Sequence, residues 1–143
     1  MKKLSYLLLL LLPFLFSCND NCEGIDCLSE DAFAFTIKSR TSGNDLLFGS
    51  NKQLTENDVE VYHFANGTKQ TPVVRFENSY ILVGLNREVK EYFVVALGQT
   101  DTVRVETSSL PSSECCPRTT AIESITVNGA DVAEGTWIID LYR

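Results

Sequence analysis

The residues of this chain that could do chemistry are few. They are five cysteines (Cys18, Cys22, Cys27, Cys115 and Cys116), one histidine (His63), one tryptophan (Trp137) and 19 carboxylates. Four thiols could hold zinc, but structural zinc sites use cysteine pairs separated by two to four residues, and the adjacent Cys115-Cys116 pair fits them poorly. A catalytic thiol needs a depressed pKa and a base beside it, and His63 is the only imidazole. In Val59-Glu60-Val61-Tyr62-His63-Phe64-Ala65 that histidine alternates onto the face of Val59, Val61 and Ala65, which reads as a packed core residue. No Gly-x-Ser-x-Gly elbow, His-Glu-x-x-His, P-loop or Gly-x-Gly-x-x-Gly occurs. Paired carboxylates could serve glycoside hydrolysis, but acids this numerous form chance pairs anywhere on a surface. The expectation is no catalytic residue, no metal and no cofactor.

The first residues explain part of this. Lys2 and Lys3 precede an apolar run from Leu4 to Phe16, broken by Ser5 and Pro13. A basic start, a short apolar core and a small residue before a cut are the parts of a secretory signal peptide. The run is shorter than the roughly 20 residues a membrane-spanning helix needs. Leu15-Phe16-Ser17-Cys18 resembles the lipobox of bacterial lipoproteins, with Phe16 bulkier than the usual residue there. The resemblance implies that Cys18 becomes the first residue of the mature chain and carries a diacylglyceryl group. It also implies a cell envelope location, with the outer membrane expected, and the membrane as a partner through the lipid. Each buried methylene contributes about 0.8 kcal/mol, and more than one acyl chain makes the attachment effectively permanent.

With Cys18 lipidated, four cysteines remain, an even number in an exported chain. Pairing Cys22 with Cys27 would force a vicinal Cys115–Cys116 bridge, whose Cα atoms sit too close for ordinary disulfide geometry. Both other pairings join Cys22 and Cys27, one each, to Cys115 and Cys116. Such a bridge closes a loop of roughly 90 residues, for which chain entropy predicts a little over 4 kcal/mol.

Removing the first 17 of 143 residues leaves 126, enough for one domain with a real core. Ten basic residues then face 19 acidic ones, a formal charge of −9. With no Lys/Arg cluster to offset it, that charge repels nucleic acid. The reading divides the chain into a signal peptide (1–17), an acidic cysteine-bearing tether (18–31) and a single domain (32–143). In the tether, Asp20, Glu23 and Asp26 loosely resemble the acidic tract that marks some lipoproteins for the cell surface. The spacing Asn19, Asn21, Glu23, Gly24 and Glu30 also approaches a calcium loop. It starts with Asn, carries the charged Asp26 at its eighth position and lacks flanking helices, so it reads as coincidence.

The domain shows no amphipathic helix. Alternating or β-rich segments recur at 32–39, 59–65, 68–76, 80–85, 92–97, 102–107, 122–127 and 136–142, with turn signals between them that include Asn66-Gly67 and Asn128-Gly129. Pro72 within the return segment 68–76 calls for an edge or a break. Leu46-Leu47-Phe48 reads as an apolar stopper over one end of the domain. About eight short strands predict an all-β, antiparallel sandwich, immunoglobulin-like or transthyretin-like, with the 41–58 and 108–120 segments as Greek-key crossings. Trp137, Ile139 and Leu141 share one face of the closing strand. Trp137 is a core residue on this reading; a sugar-stacking role is its weaker alternative. The function expected is a lipid-anchored, non-catalytic binding or structural module with an envelope protein or glycan as partner. The alternatives are a surface carbohydrate or peptide binder, and an envelope hydrolase using carboxylates.

Overall fold

The computed structural model describes residues 30–109, 120–136 and 138–143. They form a sandwich of two sheets. Strands β1 (Ala32–Lys38), β4 (Val74–Phe76), β5 (Ile81–Gly84) and β10 (Ile138–Tyr142) make one, in the order β10-β1-β5-β4. Strands β2 (Val59–Ala65), β3 (Thr68–Gln70), β6 (Glu91–Ala96), β7 (Gln99–Ser109), β8 (Thr120–Val127) and β9 (Ala130–Asp131) make the other, in the order β3-β2-β6-β7-β8-β9. Every pairing is antiparallel except β1 with β10, which run parallel from Ala34↔Ile138 to Lys38↔Tyr142. A parallel partner requires a crossover, and β10 arrives from the opposite sheet after β9.

Alternation fixes what faces inward. Phe33, Phe35 and Ile37 of β1, Ile81 and Val83 of β5, Tyr92 and Val94 of β6, and Ile139 and Leu141 of β10 form the core, with Val103 and Val105 of β7. Phe35 is fully enclosed, so Phe35→Ala would cost about 3–5 kcal/mol through lost transfer energy and the cavity left behind. β1 is more buried than its alternation suggests. Ala34 and Thr36, on its outer face, are also buried because larger residues of β5 and β10 flank them. Leu46 and Leu47 join the core as the stopper reading expects. Asp45 holds them there, its carboxylate accepting the Leu47 and Phe48 amides at 2.8 and 2.7 Å.

The segment expected as one return strand over 68–76 is two strands. β3 stays beside β2, the chain breaks around Pro72, and β4 joins the other sheet. Proline cannot donate to a ladder, so it sits where the chain changes layer. Of the two expected Greek-key crossings, the 41–58 segment does carry the chain from one sheet to the other. The 108–120 segment does not, since β7 and β8 are antiparallel neighbours. The crossing from β5 to β6 carries a tyrosine corner. The Tyr92 hydroxyl, near the start of β6, accepts the Asn86 amide at 2.7 Å. That feature, and the strand order β1-β5-β4 facing β3-β2-β6-β7, follow the immunoglobulin-type pattern B-E-D facing C′-C-F-G. Here β10 takes the place of the first strand, and β8 and β9 widen the second sheet.

Three hairpins close with two residues at positive φ, the type I′ signature. Asn66-Gly67 and Asn128-Gly129 use the expected dipeptide. The third is Leu97-Gly98, with Leu97 at φ 51°, one residue earlier than the turn that Gly98-Gln99-Thr100-Asp101 suggests in the sequence.

Candidate functional site

Because Val61 and His63 point inward from β2, their neighbours Tyr62 and Phe64 must point outward. Phe93 of β6 is paired directly with Tyr62. The three rings therefore meet on the open face of the six-stranded sheet. Tyr62 stacks on Phe93 with centroids 5.1 Å apart and planes at 18°. Phe64 stands edge-on to both, at 5.7 Å from Tyr62 and 5.8 Å from Phe93, and is 52% exposed. Lys69 of β3 lays its Nζ 4.0 Å over the Tyr62 ring and pairs with Glu60 at 2.6 Å. That cation–π contact already occupies one face of Tyr62, so the accessible rings are Phe64 and Phe93.

Ion pairs border the rings. Arg104 of β7 lies 3.6 Å from Glu91 and 2.8 Å from Glu106, and Lys90 reaches Glu106 at 2.6 Å. The hydrogen bonds from Lys90 and then Arg104 hold the Glu106 carboxyl below the ordinary carboxylate range. A shallow depression of about 370 Å³ opens here, lined in part by Phe64, Phe93, Lys90 and Arg104.

A second concavity, of about 480 Å³, lies between the start of β1, the middle of β8 and the 131–136 connection. Phe33, Ile122, Ile125 and Val132 give it apolar walls, and Glu123, Asp131 and Glu134 its acidic side chains. Glu30 also borders it, but its carboxylate accepts the Ile122 amide. Among the described residues the lining includes no histidine, lysine or arginine.

On the inner side, His63 is 3% exposed, edge-on to Tyr92 at 5.6 Å, and neither ring nitrogen has a hydrogen-bond partner among the described residues. It is a core residue, as its alternation suggests. Burial pushes the Tyr92 phenol above its ordinary value, against a smaller opposing effect of the Asn86 backbone. On the outer face of the smaller sheet, Asp140 accepts from Thr36 at 2.8 Å and pairs with Lys38 at 2.7 Å. Burial is the largest single influence on Asp140 and pushes its pKa up. The Lys38 and Thr36 hydrogen bonds, with the Lys38 charge, work against burial, and the net pKa lies below the ordinary value. The same bond raises Lys38.

Cys18, Cys22, Cys27, Cys115, Cys116 and Trp137 lie outside the described residues, as does the whole acidic tether except Glu30 and Asp31. Among the described residues there is no cluster of His, Cys, Asp and Glu suited to a metal ion. No helix there is long and apolar enough to cross a membrane. The aromatic face is the feature that reasoning from the sequence missed. Its signal was present, since assigning Val59, Val61 and His63 to the interior leaves Tyr62 and Phe64 outside. Comparison of the chain with family models, with curated proteins and with solved structures returned no match.

Proposed function

We propose that this protein is a lipid-anchored, non-catalytic binding module of a bacterial cell envelope, and that its aromatic face takes a saccharide. The observation that carries the reading is the contiguous Tyr62, Phe64 and Phe93 cluster on an open sheet face. Aromatic side chains bury large apolar areas, so leaving Phe64 exposed beside the half-buried rings of Tyr62 and Phe93 is costly unless they meet something. A sugar ring offers an apolar C–H face for stacking and hydroxyls at its rim. Phe64 and Phe93 supply the first contact, and Glu91, Arg104 and the β7 hydroxyl of Thr102 stand ready for the second. The charged groups are fixed in ion pairs, which suits recognition of a neutral polar ligand better than proton transfer. The anchor rests on the Leu15-Phe16-Ser17-Cys18 resemblance and the basic, apolar start before it.

Two measurements test the reading. Retention on a panel of insoluble polysaccharides and titration with soluble oligosaccharides should show binding. Phe64→Ala should weaken it by about tenfold, the loss expected for one stacking contact. Failure across the panel, or binding indifferent to Phe64, overturns the saccharide reading. For the anchor, Cys18→Ala should release the protein from membranes. Retention after a high-salt wash overturns lipidation at that residue.

A further inference from the structure

The four sheet edges are not equally protected. β3 is three residues long and carries Lys69, β4 is three residues with Arg75, and β9 has only two. Pro72 guards the approach to both β3 and β4. Short length, basic side chains and proline are the usual devices that stop an edge from pairing. β10 has none of them. It is five residues, Ile-Ile-Asp-Leu-Tyr, with Ile138 and Tyr142 exposed at 37% and 46%. Its one charge, Asp140, is drawn onto the sheet face by Lys38 and Thr36.

A cleft opens where the chain leads into this edge, at Gly135 and Thr136. Phe33 of β1 meets Tyr92 of β6 at 5.3 Å, and Arg143, just after β10, reaches Asp101 of β7. The four-stranded sheet therefore lies over β6 and β7, and Glu30, the residue leading into β1, is bonded to β8. Ile122 and Ile125 of β8, partly buried against the edge of the core, also wall the 480 Å³ cleft.

We propose that the edge of β10, unpaired among the described residues, with the adjoining cleft, is a strand-addition site for an extended peptide of a partner protein. Main-chain hydrogen bonds to β10 would supply affinity, and alternate side chains would pack on Ile122 and Ile125. Charge selects the occupant. Among the described residues Glu123, Asp131 and Glu134 border the cleft and no basic residue lines it, so the peptide carries lysine or arginine beside its apolar positions. A second copy of the chain fits worse. Its β10, set antiparallel and centred, would bring Asp140 opposite Asp140, and like charges directly opposed destabilise a pair. This surface is separate from the aromatic face, and neither reading depends on the other.

The test uses the full chain and a synthetic peptide of about seven residues, alternating valine and threonine between terminal lysines, long enough to span β10. Binding should slow hydrogen exchange at β10 amides. Replacing the terminal lysines by glutamates, or Glu123 and Glu134 of the protein by lysines, should weaken binding by about tenfold or more. Methylating alternate peptide nitrogens should abolish it, with no change to the protein's own folding. Several results overturn the proposal: no binding, equal binding of the methylated peptide, or protection in the free chain of the outward-facing β10 amides, those not bonded to β1. Protection that rises with protein concentration alone would overturn it too, and assign the edge to a second copy.

Discussion

Arg143 Nη1 lies 2.5 Å from Asp101 Oδ2, and this contact ties the two sheets together at one end of the sandwich. Arg143 follows β10 and Asp101 belongs to β7. The arginine side chain is 2% exposed and the aspartate 12%. Arg143 Nε also donates to the Ala96 carbonyl at 3.1 Å, and Asn128 donates to Asp101 Oδ1 at 2.7 Å. The 2.5 Å contact is a close charge pair, Arg143 Nη1 also donates to the Tyr142 carbonyl at 3.3 Å, and Arg143 Nη2 has no partner among the described residues. Two charges taken out of water are held by each other more than by a complete network.

Removing one member should therefore be costly. Asp101→Ala leaves a buried guanidinium uncompensated and should destabilise the domain by about 3–5 kcal/mol. The double variant Asp101→Ala with Arg143→Met should recover most of that loss. Urea denaturation of the four proteins in the cycle measures it, and equal losses for the single and double variants would contradict the pair's role.

His63 presents the opposite case. Its two ring nitrogens are buried without partners, and an unmade hydrogen bond in the interior costs about 1–3 kcal/mol. His63→Leu should raise the denaturation midpoint by the equivalent of roughly 1–2 kcal/mol, on the same grounds. A destabilised variant would mean that the imidazole is hydrogen-bonded in solution.

The hairpin at Leu97-Gly98 puts a bulky residue at positive φ, where the Cβ crowds the backbone. The other two type I′ turns carry asparagine at that position. Leu97→Asn should stabilise the domain by about 1 kcal/mol and remove an exposed apolar side chain. Thermal unfolding of the variant decides it, and a lower midpoint would show that the Leu97 side chain makes a contact worth keeping.

The Asp140–Lys38 pair gives a pH signature. The Asp140 pKa is lowered in the folded protein. Its contribution is complete above the ordinary carboxylate value and is lost as pH falls through the depressed one. The Lys38 pKa is raised. Its contribution is complete below the ordinary lysine value and is lost as pH rises through the raised one. Both groups are about one-third exposed, so Asp140→Asn should cost no more than about 1 kcal/mol at neutral pH. That difference from the parent protein should shrink in strong acid. A difference that stays constant down to the lowest pH would rule out the charged pair as its source.

Local pattern alone determined much of this molecule. Period-two alternation in Phe33-Ala34-Phe35-Thr36-Ile37 and in Ile139-Asp140-Leu141 reveals strands and their inward faces, because a pleated backbone must send successive side chains to opposite sides. Asn66-Gly67 and Asn128-Gly129 reveal two hairpins, because few residues accept positive φ twice in succession. Pro72 marks a break for want of an N–H. Pairing between distant segments was not legible. Nothing in Ile138 to Tyr142 says that the strand runs parallel to β1 rather than antiparallel to a neighbour, since either ladder satisfies the same backbone groups. The aromatic face depended on Tyr62 and Phe93, 31 positions apart, being set in register by the β2–β6 ladder. Arg143 and Asp101 became a buried pair only when the sheets closed over them. Strand identity follows from sequence neighbours, whereas partner, register and layer follow from the packing of the whole chain, and in this protein the candidate binding surfaces belong to the second kind.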